Sequence, residues 1–65
     1  MDEQTATQHA LDWFQRFYQP NAPLEISAQQ QPDGRWHLEI ACASIPEVVR
    51  VAVDEAGQVE RRIAD

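Results

Sequence analysis

The spacing of apolar residues in this chain changes once, and the change falls between Pro20 and Pro23. From Glu3 to Tyr18 the residues Ala6, Ala10, Leu11, Trp13, Phe14, Phe17 and Tyr18 recur at helical steps. At about 100° per residue they cover roughly 160° of a helical wheel, which predicts one amphipathic helix with a single buried face. Pro20 ends it, because a proline lacks the donor that a helix interior needs and drives the preceding residue, Gln19, out of helical geometry. Asp2 and Glu3 complement the positive end of the helix, and Thr5 with Gln8 has the spacing of a capping box should the first turn fray.

Beyond Pro23 the period is two. Leu24, Ile26 and Ala28 alternate with Glu25, Ser27 and Gln29, as in a strand with one buried side. Pro32, Asp33 and Gly34 then supply turn chemistry, and a second strand runs from about Arg35 to Ala43, with Trp36, Leu38, Ile40 and Cys42 on its inner face. Val48 to Val53 reads as a third strand, with Val49, Val51 and Val53 inward and Arg50 outward. Gly57 closes another tight turn, after which Gln58 to Ile63 reads as a short returning strand whose pattern is broken by Arg61 on the face of Val59 and Ile63. The expected architecture is α+β: one helix laid across a three- to four-stranded antiparallel meander, with all of residues 1–65 in a single domain.

The stretches Asp33-Gly34-Arg35-Trp36-His37-Leu38-Glu39-Ile40 and Val51-Ala52-Val53-Asp54-Glu55-Ala56-Gly57-Gln58-Val59, following a helix of alanines and aromatics, resemble the small PepSY-type modules with their cystatin-like helix-then-sheet order. The resemblance implies a non-catalytic binding or inhibitory module, of a kind often exported and attached to peptidases or membrane proteins. It carries no catalytic residue over, because the matching positions are turn and core residues. The chain departs from the exported setting by showing no signal-like apolar segment.

Eleven acids against five bases give a net charge of −6. The phosphate attraction that drives nucleic-acid affinity is therefore repulsive overall, and direct nucleic-acid binding is not expected. The longest apolar run, Ile40 to Ala43, is far too short for a membrane span. The lone Cys42 forms no internal disulfide, and no zinc-type spacing accompanies it, so a reducing compartment fits and a cytoplasmic location is expected.

Candidate chemistry is sparse. His37 and Glu39 share a strand face within reach of Arg50 on the neighbouring strand, an exposed polar set rather than a metal or acid–base pair. Cys42 has the opposite parity from His37 and reads as a buried small hydrophobe, and His9 reads as a surface histidine. Trp13, Phe14, Phe17, Tyr18 and Trp36 are needed as core. No phosphate-cradling glycine loop or nucleophile motif occurs, so no enzyme, cofactor or metal is expected.

The sheet face away from the helix is the more informative surface. Its members are Glu25, Ser27, Gln29, His37, Glu39, Ala41, Ala43, Val48, Arg50 and Ala52, with small apolar residues in the middle and charges around them. The leading expectation is a non-enzymatic protein-interaction module, a homodimer or a partner-binding domain. Its contact would be this open face, through Ala41, Ala43, Val48, Arg50, Ala52, His37 and Glu39, or an edge strand. Two other readings follow from the same residues: an acidic inhibitor occupying the nucleic-acid site of a basic protein, and a small-molecule enzyme assembled across a homodimer from repeated His37 and Glu39.

Overall fold

Asp2 starts the helix α1 (Glu3–Phe17) by accepting the Thr5 N–H on its carboxylate at 2.8 Å. That bond satisfies one of the donors a helix start leaves open and holds the Asp2 carboxyl below its ordinary pKa. The cap is thus Asp2 and not Thr5. Gln8, the other half of the expected box, instead donates to Asp12 one turn on at 3.0 Å. The helix stops at Phe17, where Tyr18 turns extended and its N–H reaches back to the Phe14 carbonyl at 2.9 Å.

In this computed structural model, residues 1–19 and 22–62 are described. Four strands follow the helix: β1 (Leu24–Gln30), β2 (Trp36–Cys42), β3 (Val49–Val53) and β4 (Val59–Arg61). They form one antiparallel sheet in the order β1-β2-β3-β4, so each strand lies beside its neighbour in sequence. The α+β expectation holds, and the fourth strand forms. It is shorter than the Gln58–Ile63 reading at both ends, with Ile63 outside the described residues. The second strand ends at Cys42 and the third begins at Val49, which leaves Ala43 and Val48 in the connecting loop.

Two hairpins share one construction. In the first, the Gly34 N–H bonds the Gln31 carbonyl at 2.9 Å and the Gln31 N–H bonds the Arg35 carbonyl at 2.7 Å. In the second, Gly57 bonds Asp54 at 3.0 Å and Asp54 bonds Gln58 at 3.1 Å. Each is a turn closed by a glycine at positive φ, +92° at Gly34 and +84° at Gly57, the geometry of a three-residue hairpin with a glycine bulge. The Asp33 carboxylate caps the Arg35 N–H in the first turn, and the Asp54 carboxylate caps Ala56 and Gln58 in the second.

The core lies between α1 and the inner sheet face. Ala6, Ala10 and Phe14 of the helix meet Leu38 and Ile40 of β2 and Val49, Val51 and Val53 of β3, all essentially solvent-free. The two alanines let the helix axis approach the sheet, and Phe14 is the one large side chain it drives into the centre. Phe17 departs from the core expectation. It carries the helical spacing of a core residue yet is 67% exposed, because it stands in the last helical position; its ring lies 5.0 Å from that of Trp13, one turn back. Trp13, Tyr18 and Trp36 are half-buried at the core margin, and the Trp36 indole N–H ties down the Met1 carbonyl at 3.2 Å.

Candidate functional site: the uncovered side of the sheet

The helix covers one face of the sheet, and strand alternation puts a row of other side chains on the opposite face. Cross-strand register aligns Gln29, His37, Ala52 and Glu60 in one row across the four strands, and Ser27, Glu39 and Arg50 in the next. Ala41 stands beside Glu25 in a third row. Five of the seven residues expected to form a contact surface, His37, Glu39, Ala41, Arg50 and Ala52, are therefore brought together on one face. Ala43 and Val48 are exposed but belong to the β2–β3 loop, Val48 at 43%.

The centre of this face is occupied by an ion pair. Arg50 Nε donates to Glu39 Oε2 at 2.8 Å between half-exposed side chains, and a second pair, Arg61 to Glu47 at 3.1 Å, ties β4 to the β2–β3 loop. Exposed pairs of this kind contribute about 0–1 kcal/mol each, so their role is to fix side-chain positions more than to hold the fold. An occupant of this face would have to strip water from the Glu39–Arg50 pair.

His37 lies in a shallow groove with Ser27, Gln29, Gln31, Glu39 and Arg62. Partial burial, and then the positive charge of Arg62, hold its imidazole below the ordinary value of 6.5, opposed by the attraction of Asp33. The shift favours the neutral ring at pH 7. A base whose folded pKa is depressed contributes stability that is fully present above 6.5 and is lost as pH falls through the folded value. An NMR titration of the His37 ring should give a midpoint below 6.5 that rises toward it in Arg62→Gln. A wild-type midpoint at or above 6.5 would remove this account.

Cys42 is 7% exposed, and its Sγ lies 3.0 Å from Ser44 Oγ and 3.7 Å from the Ala22 carbonyl. The contact with Ser44 pulls the thiol below its ordinary pKa against the opposing effect of burial. The same burial withholds the sulfur from solvent, and His37 points to the other face. No group of three or more His, Cys, Asp or Glu side chains that could hold a metal occurs among the described residues, and no helix is long and apolar enough to cross a membrane.

A second feature was not legible residue by residue: the free edge of β1. Residues of an antiparallel pair alternate between turning their backbone groups toward the partner and away from it. Because Gln31 bonds Arg35, the residues at the same parity, Glu25, Ser27 and Gln29, face β2 with their N–H and C=O groups. Leu24, Ile26, Ala28 and Gln30 turn theirs outward, and no described residue outside β1 gives them a backbone partner. The Arg62 to Arg50 bond of 2.8 Å fixes the corresponding parity at the other side of the sheet. The signal available in sequence was the run of short connections, which makes a meander and places its first strand at an edge.

No protein-family model, no curated protein and no solved structure matches this chain.

Proposed function

We propose that this chain is a non-enzymatic protein-interaction module that receives an extended strand from another polypeptide along the edge of β1. The observation that carries the reading is the edge itself. β1 is seven residues long, pairs with β2 in unbroken register, and contains neither proline nor lysine nor a bulge. Proteins ordinarily blunt a free edge with such devices, since its unpaired donors and acceptors are a template for another strand. The edge is favoured over the open face because a strand added there satisfies backbone groups, whereas an occupant of the face must desolvate the Glu39–Arg50 pair. The general character implied by the PepSY-type resemblance, a binding module without catalytic residues, agrees with this reading.

The test is a titration of isotopically labelled protein with a synthetic peptide of residues 23–31. Binding at the edge should shift and slow the exchange of the Leu24, Ile26, Ala28 and Gln30 amides, and Arg50→Glu with Ala43→Glu should leave that binding unchanged. Perturbation centred on Ala41, Arg50 and Ala52, or binding lost in that double variant, would move the contact to the open face. No perturbation at either place, in protein that light scattering shows to be monomeric, would overturn the reading.

A further inference from the structure

We infer that the strand received at this edge is β1 of a second copy, paired antiparallel about a two-fold axis through Ser27, so that two four-stranded sheets join into one of eight strands. The inference rests on the proposed strand-receiving role and adds its occupant and register.

Three observations select this arrangement. The first is backbone parity. Ser27 is the midpoint of Leu24–Gln30, so a two-fold there overlaps the whole strand with its copy. It sets Leu24 against Gln30 of the second copy and Ile26 against Ala28, which gives every outward-turned N–H and C=O of β1 a partner. A shift of the axis by one residue either way leaves part of the strand unpaired.

The second is side-chain complementarity. On the outer face this register opposes Glu25 to Gln29 and Ser27 to its own copy, so the single charge of β1 meets an amide. The two Glu25 residues stand about 13 Å apart at roughly 3.4 Å per residue, beyond the screening length of physiological salt. A parallel pairing in register would set Glu25 beside Glu25. On the inner face, half-buried Ile26 meets the small Ala28, a large-to-small match that covers part of the remaining exposure of each.

The third is the helix above. A two-fold perpendicular to the sheet keeps both helices on the same side. His9, Trp13 and Arg16 form the flank of α1 over Gly57 and β4. At about 100° per residue, Leu11 occupies the opposite flank, the one toward β1. Leu11 is half-buried and does not belong to the set packed on the core, so it stands as a partly exposed leucine beside the junction. The same flank of the second copy is what the two-fold brings toward it.

The test combines solution mass with a site-directed disulfide. Residues opposite each other in a non-hydrogen-bonded antiparallel pair lie about 4.5 Å apart between Cα atoms, within disulfide range. Ser27→Cys treated with copper phenanthroline should therefore run as a covalent dimer on a non-reducing gel, whereas Glu25→Cys and the wild type, with only buried Cys42, stay monomeric on the gel. Light scattering should give a wild-type dimer that tightens as salt rises, since each copy carries a charge of −6. Ala28→Pro deletes an outward N–H that β2 does not use, and should weaken dimerisation at least ten-fold with an unchanged circular dichroism spectrum. If that variant fails to fold, amide exchange on the wild type decides. Protection of Leu24, Ile26, Ala28 and Gln30 that grows with protein concentration supports the pairing, and its absence overturns it.

A mass that stays monomeric at millimolar concentration overturns the second copy, while the peptide titration separately decides the strand-receiving role. A dimer without the Ser27→Cys crosslink overturns this register and leaves that role standing. Dissociation of the assembly by salt would also count against it, since that is the behaviour of an acidic surface held by a basic partner.

Discussion

Phe14→Ala should leave the protein largely unfolded at room temperature, while Phe17→Ala, one position short of a helical turn away, should cost less than about 1 kcal/mol. The two residues have the same side chain and the same helix. Phe14 is 0% exposed, fills the space between α1 and the valines of β3, and stacks on Tyr18 at 4.7 Å, whereas Phe17 is 67% exposed. Truncating a buried phenylalanine removes its transfer free energy and leaves a cavity, together about 3–5 kcal/mol. A domain of this size has a total stability of about that amount, because it buries only roughly 60% of the surface its unfolded chain exposes. Among the described residues one helix closes the core, so no other described element can shift to refill the space. Urea unfolding followed by tryptophan fluorescence measures both variants. Equal costs for the two would mean that Phe14 does not hold the helix to the sheet.

Gly57→Val is the second large effect expected, about 2–3 kcal/mol, the upper part of the range for a strained backbone. Its φ of +84° is a conformation that β-branched residues very rarely adopt, and an added Cβ would stand 3.0 Å from the ring of His9. Gly34 is the useful comparison. Its φ is +92°, but an added Cβ there meets the carboxylate end of Glu55 at 2.9 Å, a flexible group that can swing away. Gly34→Val therefore carries the backbone cost alone, and Gly57→Val that cost plus displacement of an imidazole packed from the helix. His9→Ala should recover part of the loss in Gly57→Val and none in Gly34→Val. A double-mutant cycle with no coupling between His9 and Gly57 would show that the helix does not rest on this turn.

Most of the fold was legible because local and global preferences agree in this chain. The change of period at Pro20 and Pro23 marks the helix from the sheet, and the two glycine turns can be read from Asp33-Gly34 and from Asp54 to Gly57. Reading failed where a neighbour decides the outcome. The Thr5–Gln8 spacing fits a cap, but Asp2 stands closer to the true start and takes the Thr5 N–H first. Phe17 has core periodicity, yet its exposure depends on where the helix ends above the sheet, which periodicity does not contain. Ala43 and Val48 have strand parity, but the turn bond from Ile45 to the Cys42 carbonyl at 3.0 Å ends β2 before either is reached. The outer-face set His37, Glu39, Ala41, Arg50 and Ala52 followed from alternation alone. The outward backbone of β1 did not, because parity at an edge depends on which residues close the hairpin.

The order β1-β2-β3-β4 also sets how much loop-closure entropy the sheet demands. Every strand pairs only with its neighbours in sequence, so each pairing closes a short loop and the entropy lost before the first reward is small. The twin glycine turns give two separate places where that closure can begin, one nucleating β1 with β2 and the other β3 with β4. The hydrophobic surface that receives Phe14 is made by β2 and β3 together. A chain built this way completes its sheet without a crossover connection, and among the described residues the rows of backbone groups left without a strand partner are the outer sides of its first and last strands, the first being the longer.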